Sequence, residues 1–225
     1  DGRLWRTWKD GQAKLNAYLE DYAAVIEGLI ELYQTTFDER WFVAARELAD
    51  IMLKHFADPA GGFFDTSDDH EALVMRPKDL QDNAVPSGNA LAATVLLKLH
   101  AFTGDDQYYK QAELMLSLLQ NVLTQAPTGF AQWLCALDFA LSGVKEIAVV
   151  GDVRSAEGQA LLNVLRTDYR PNQIVAAAPP DRTSAIPLLV DRPAIDGRPT
   201  AYVCRRFVCL RPVTSPQELA DQLAA

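Results

Sequence analysis

The chain has 225 residues, an apolar fraction of 49% and a formal net charge of −9. That is enough for one large domain or two unequal ones around a buried core. The acidic balance, the absence of any Lys/Arg cluster and the lack of an apolar run near the roughly 20 residues that span a bilayer exclude nucleic acid and membrane as main partners.

The chain opens without Met, and Asp1–Arg6 do not form a secretory leader, so a cytoplasmic location and a piece of a longer protein are expected. Leu4–Lys9 followed by Asp10-Gly11 reads as a strand entering a hairpin turn. Leu15, Tyr18, Tyr22, Val25, Leu29 and Leu32 then step by three and four, with Leu19, Ile26 and Tyr33 widening the stripe, which predicts one long helix. A second stripe from Phe42 to Phe56 starts after Asp38, an N-cap type, and the short link requires antiparallel packing.

The unit returns 67 residues later. Leu29, Leu32, Thr36, Asp38, Trp41, Phe42 and Ala45 align with Leu96, Leu99, Thr103, Asp105, Tyr108, Tyr109 and Ala112. Such self-similarity indicates stacked or ringed helical hairpins, and Phe130–Leu141 begins a third. Cys135 in that last helix reads as core.

After Ser142-Gly143 the texture changes. Glu146–Val150, a helical stretch from Ala156 to Thr167 and Gln173–Ala177 read as a βαβ unit. Tyr202–Cys204 and Phe207–Leu210 read as two more strands, and Ser215-Pro-Gln-Glu218 as a capped helix start. Residues 1–143 therefore form the helical hairpins and 144–225 a small α/β segment with a βαβ unit and a C-terminal helix. Gly151–Gly158 follows a strand and precedes a helix, yet it matches no phosphate-binding motif, so no cofactor is expected.

Chemistry concentrates between the two hairpins. About 30 residues with little periodicity carry Phe64, Asp65, Arg76, Lys78, Asp79, Asp82, Ser87 and Asn89, and loops of that length are often functional. Carboxylates beside cations can have their pKa values driven apart for acid and base work. The plainer alternative is structural, with Ser87 capping the next helix and Arg76 and Lys78 stapling the loop through ion pairs. Cys204 and Cys209 are a candidate redox pair only if a turn at Arg205-Arg206 brings them together; otherwise they are small buried apolar residues. Two thiols without further ligands leave a zinc site half empty, so no metal is expected.

Tyr18-Leu-Glu-Asp-Tyr-Ala23, Gly61-Gly-Phe-Phe-Asp-Thr66, Arg76-x-Lys-Asp-x-x-Asp82, Pro86-Ser-Gly-Asn-Ala90 and Tyr202-Val-Cys204 with Cys209 together resemble the YyaL family of thioredoxin-fused proteins, in its carboxyl-terminal part. The resemblance implies a mainly α fold, a partial (α/α) six-hairpin toroid related to N-acylglucosamine 2-epimerases and six-hairpin glycosidases, followed by the α/β segment. It also implies partners absent from this chain: a thioredoxin-like domain and the remaining toroid helices, with self-association of the cut array as a consequence. A sugar ligand would then bind at the toroid mouth, with Asp82 and Asp21 as catalytic carboxylates and Tyr22, Phe64, Asp65, Arg76, Lys78, Ser87 and Asn89 as its binding groups. None of His55, His70 and His100 matches an epimerase base motif. The rival expectation is a non-catalytic scaffold for the thioredoxin-like domain.

Overall fold

The computed structural model describes residues 2–71, 74–180 and 183–224. About half of the chain is helical, in seven helices among the described residues, with two small sheets. β1 (Trp5–Lys9) and β2 (Gln12–Asn16) form the expected hairpin, and Asp10 and Gly11 both take positive φ as a two-residue turn demands. α1 (Leu19–Thr36), α2 (Glu39–Phe56), α3 (Gly88–Thr103), α4 (Asp106–Gln125) and α5 (Ala131–Leu141) follow.

The repeat extends to single hydrogen bonds. Asp38 caps α2 by accepting from Arg40 N, and Asp105 caps α4 by accepting from Gln107 N. Thr36 Oγ1 accepts from Asp38 N as Thr103 Oγ1 does from Asp105 N, and Phe37 and Gly104 occupy the left-handed C-cap of α1 and α3. Equivalent local chemistry thus bends the chain identically twice.

Two expectations about the helices need correction. α1 begins at Leu19, not Leu15: Leu15 sits in β2 with φ 65°, and the backbone reverses before Asp21 accepts from Tyr18 N at 2.8 Å. Its buried face is Leu19, Tyr22, Ile26, Ile30 and Tyr33, while Val25 and Leu32 are exposed. On α5 the buried residues are Trp133, Ala136 and Phe139, which turns Cys135 to the surface rather than into the core.

α3 is the central helix. It is apolar around its circumference and packs against α1, α4 and α5, as such a helix must. α4 and α5 leave Leu114, Leu118, Val122 and Leu141 exposed.

The second sheet has the order β4-β3-β5-β6, from β3 (Lys145–Val150), β4 (Gln173–Ala178), β5 (Thr200–Arg205) and β6 (Val208–Cys209). β3 and β4 are parallel across α6 (Ala156–Thr167), and β5 runs antiparallel to β3. Alternation divides the strands cleanly. Ala148, Val150, Ile174, Ala176 and Tyr202 join the helical core, while Ile147, Val149, Val175 and Val203 pack under α6 and α7 (Pro216–Ala224). The core is therefore continuous across the Gly143 junction. α1 also closes the β4 edge, since Gln34 Oε1 accepts from Val175 N and Tyr33 Oη from Ala177 N.

The turn joining β5 to β6 is Arg206-Phe207, both at positive φ, one residue later than Arg205-Arg206. That register sets Cys204 opposite Cys209, and the two are joined in a disulfide.

Candidate functional site

Leu19 N donates to Asp65 O and Asp65 N to Pro77 O, so the long loop is laced to the start of α1. Gly88 brings α3 to the same place: a Cβ there would lie 3.0 Å from Glu20 N. The N-terminal ends of α1 and α3 and the loop between the hairpins thereby enclose a cleft of about 440 Å³. Tyr18, Glu20, Asp65, His70, Asp79 and Ser87 are among the residues that line it.

Asp65 is the half-buried carboxylate of this cleft. Both of its oxygens accept from Asp79 N, at 3.1 and 3.0 Å. Burial pushes its pKa above the ordinary value, the Asp79 amide opposes the shift, and the charges of Asp79 and Glu20 add to it. Glu20 is exposed and pairs with Arg6 at 2.9 Å, and the Arg6 guanidinium lies 4.4 Å above the Tyr18 ring. The His70 ring lies tilted against Tyr18, with ring centroids 6.0 Å apart. One cleft thus holds aromatic side chains and carboxylates in contrasting environments, with Arg6 of the β-hairpin held against two of its lining residues.

Of the residues expected at the site, Asp65 and Ser87 reach this cleft. The others turn their polar atoms into the scaffold. Asp82 Oδ1 accepts from Ser87 N at 2.9 Å and Oδ2 from Gln132 N at 2.8 Å, which ties the loop before α3 to the first turn of α5. Asn89 is fully buried: its Oδ1 accepts from Phe63 N, and its Nδ2 donates to Phe63 O and Asp79 O. Arg76 donates to Thr66 O and His55 O with its guanidinium 4.1 Å over Phe64, and Lys78 pairs with Asp58 and donates to Gly61 O. Asp21 accepts from Tyr18 N and pairs with Arg6 at 2.8 Å, while the buried Tyr22 hydroxyl accepts from Leu4 N. Ser87 itself caps α3 by accepting from Ala90 N.

Glu20, Tyr18 and His70 were not singled out as site residues by pattern, and Asp79 was noted only among the polar residues of the loop. Tyr18, Glu20 and Asp79 lie inside the strings Tyr18–Ala23 and Arg76–Asp82, which was the available signal. Among the described residues no group of three or more His, Cys, Asp or Glu is placed to hold a metal ion, and no helix is long and apolar enough to cross a membrane.

No family model matches the chain. It is 32% identical over 212 residues to spermatogenesis-associated protein 20 of Homo sapiens and to that of Mus musculus, a match covering 92% of this chain and 27% of each relative. An uncharacterised protein of Caenorhabditis elegans is 26% identical over 222 residues, 95% of this chain and 29% of the relative. The chain therefore spans about a quarter of the length of the curated relatives it matches. Over nearly its whole length it belongs to the family of spermatogenesis-associated protein 20, the one its helix and loop strings resemble.

Proposed function

We propose that the cleft at the N-terminal ends of α1 and α3 takes a neutral, polyhydroxylated ligand of the sugar class. The observation that carries this reading is Asp65: a half-buried carboxylate with raised pKa, facing the charges of Glu20 and Asp79 in one cleft. Carboxylates in unlike environments are the arrangement that divides acid from base in sugar chemistry. Hydroxyl groups donate well to carboxylates, Tyr18 offers a face for a sugar ring, and the acidic lining disfavours anions. In this reading Asp65 and Glu20 are the pair of carboxylates that meets the ligand, and Asp82 and Asp21 act as scaffold. The hairpins are then part of an (α/α) toroid of the epimerase and six-hairpin glycosidase kind, for which the 67-residue repeat gives support.

A panel of monosaccharides titrated calorimetrically into the protein tests the proposal. Binding that is lost in Asp65→Asn, with little change in melting temperature, is the expected result. No binding by any sugar, or undiminished binding by a folded Asp65→Asn variant, overturns it.

One observation favours a second reading. Asp82, Asn89, Arg76 and Lys78 spend their polar atoms on backbone and loop, as a purely structural element would. The helical array would then be a scaffold for the thioredoxin-like domain that the family resemblance implies. A sugar-binding result separates the two.

A further inference from the structure

Arg192 enters the β5–β6 hairpin from the loop that follows the 3₁₀ turn Pro187–Leu189. Its Nη2 lies 3.2 Å from Cys209 Sγ and 3.7 Å from Cys204 Sγ, and Nη1 donates to Val190 O at 3.0 Å. Nε is buried without a hydrogen-bond partner. Among the described residues no carboxylate lies within ion-pairing distance of this guanidinium. The nearby carboxylate of Glu146 is committed elsewhere, accepting from Arg206 N and Phe207 N. A partly buried cation thus rests on a neutral disulfide that does little to offset its lost hydration. Reduction of the bond is a reaction that generates an anion, a thiolate, within reach of this guanidinium.

The hairpin supplies the geometry for that bond. With Arg206 and Phe207 in the turn, Arg205 and Val208 are the first pair of the ladder and Cys204 and Cys209 the next. Leu210 N donates to Val203 O, so Cys204 and Cys209 are the non-hydrogen-bonded pair, where facing side chains approach most closely. Cys204 is buried, whereas Cys209 lies on the short edge strand, partly buried between exposed Val208 and Leu210. Cys209 is the less buried residue of the pair, and the guanidinium lies against both sulfurs.

We propose that Cys204 and Cys209 form an exchangeable redox disulfide for a dithiol partner, with Arg192 as the residue that stabilises the leaving thiolate. A thiolate of the dithiol attacks Cys209 Sγ and forms a mixed disulfide. The Cys204–Cys209 bond breaks, and its electron pair stays on Cys204 Sγ as a thiolate beside Arg192. The second thiol of the dithiol then attacks its own sulfur in the mixed disulfide and releases Cys209. Two electrons and two protons pass to the cysteines, and the dithiol becomes a disulfide. Arg192 is a positioning residue here, since it transfers no proton.

The test uses the whole chain with the exposed Cys135 changed to Ser, reduced by dithiothreitol, quenched with an alkylating agent at timed intervals and read by mass spectrometry. A neighbouring cation shifts a thiol pKa by about one to two units, and rates follow leaving-group pKa with a slope near 0.5, so Arg192→Met should slow reduction by about 3- to 10-fold. Arg192→Lys, which keeps the charge, should restore most of the rate. Circular dichroism establishes that each variant is folded. Cysteines that stay unbonded after equilibration with oxidised dithiothreitol overturn the proposal, as does a folded Arg192→Met variant reduced at the wild-type rate. Should that variant not fold, the wild type decides: reduction of the folded protein must be no slower than that of the same chain in urea, and a rate 100-fold slower overturns the assignment.

Discussion

Replacing Asn89 by alanine isolates the staple between the long loop and α3. Asn89 lies fully buried in the first turn of α3 and answers three backbone groups: it accepts from Phe63 N at 2.8 Å and donates to Phe63 O and Asp79 O, each at 3.0 Å. Alanine leaves all three without that partner, where water enters only by opening the core around Phe63. Each buried unsatisfied group costs about 1–3 kcal/mol, and partial relaxation brings the expected total to about 3–5 kcal/mol. For a chain of this size about 2–4 °C of melting temperature accompanies each kcal/mol, so a fall of roughly 6–20 °C is expected. Asn89→Asp should be comparably damaging, because a carboxylate has no N–H for Phe63 O and Asp79 O. Differential scanning calorimetry measures both variants. A shift below about 2 °C for Asn89→Ala would refute the claim that these bonds hold the loop.

Further outcomes are expected elsewhere. Asp82→Asn keeps one acceptor but sets an amide N–H₂ against Ser87 N or Gln132 N, so stability should fall by about 1–3 kcal/mol in urea titrations while sugar binding in the cleft persists. Gly151→Ala places a Cβ 2.6 Å from Pro199 Cα at φ 136°, and a loss of about 2 kcal/mol or more in the same assay is expected. Asp65 has a folded-state pKa above its unfolded value, so the fold binds its proton more tightly and stability falls as pH rises from the ordinary carboxylate range through that raised value. Urea midpoints measured across that window should show a shallower decline for Asp65→Asn than for wild type.

What could be read from the residues is what local chemistry fixes. Thr36-x-Asp38 and Thr103-x-Asp105 state the helix–turn–helix repeat because hydroxyl and carboxylate caps act within four residues. Asp10-Gly11, Ser87 and Ser215-Pro216 mark a turn and two helix starts for the same reason. Short β-rich runs on either side of a helical stretch indicated the βαβ unit, and its helix and parallel strands form there.

The rest required the packed chain. α1 carries apolar residues on nearly every side, and only contact with α2 and α3 decided that Ile26 and Ile30 are buried while Val25 and Leu32 face outward. A one-residue difference in the β5–β6 turn decided whether Cys204 could meet Cys209, and the positive φ of Arg206 and Phe207 carries no strong signature in those residue types. The loop between the hairpins offered many carboxylates of equal appearance. Their division into a partly buried staple at Asp82 and a cleft around Asp65 and Asp79 follows from which backbone amides the folded loop presents to each, a non-local outcome that spacing along the chain does not encode.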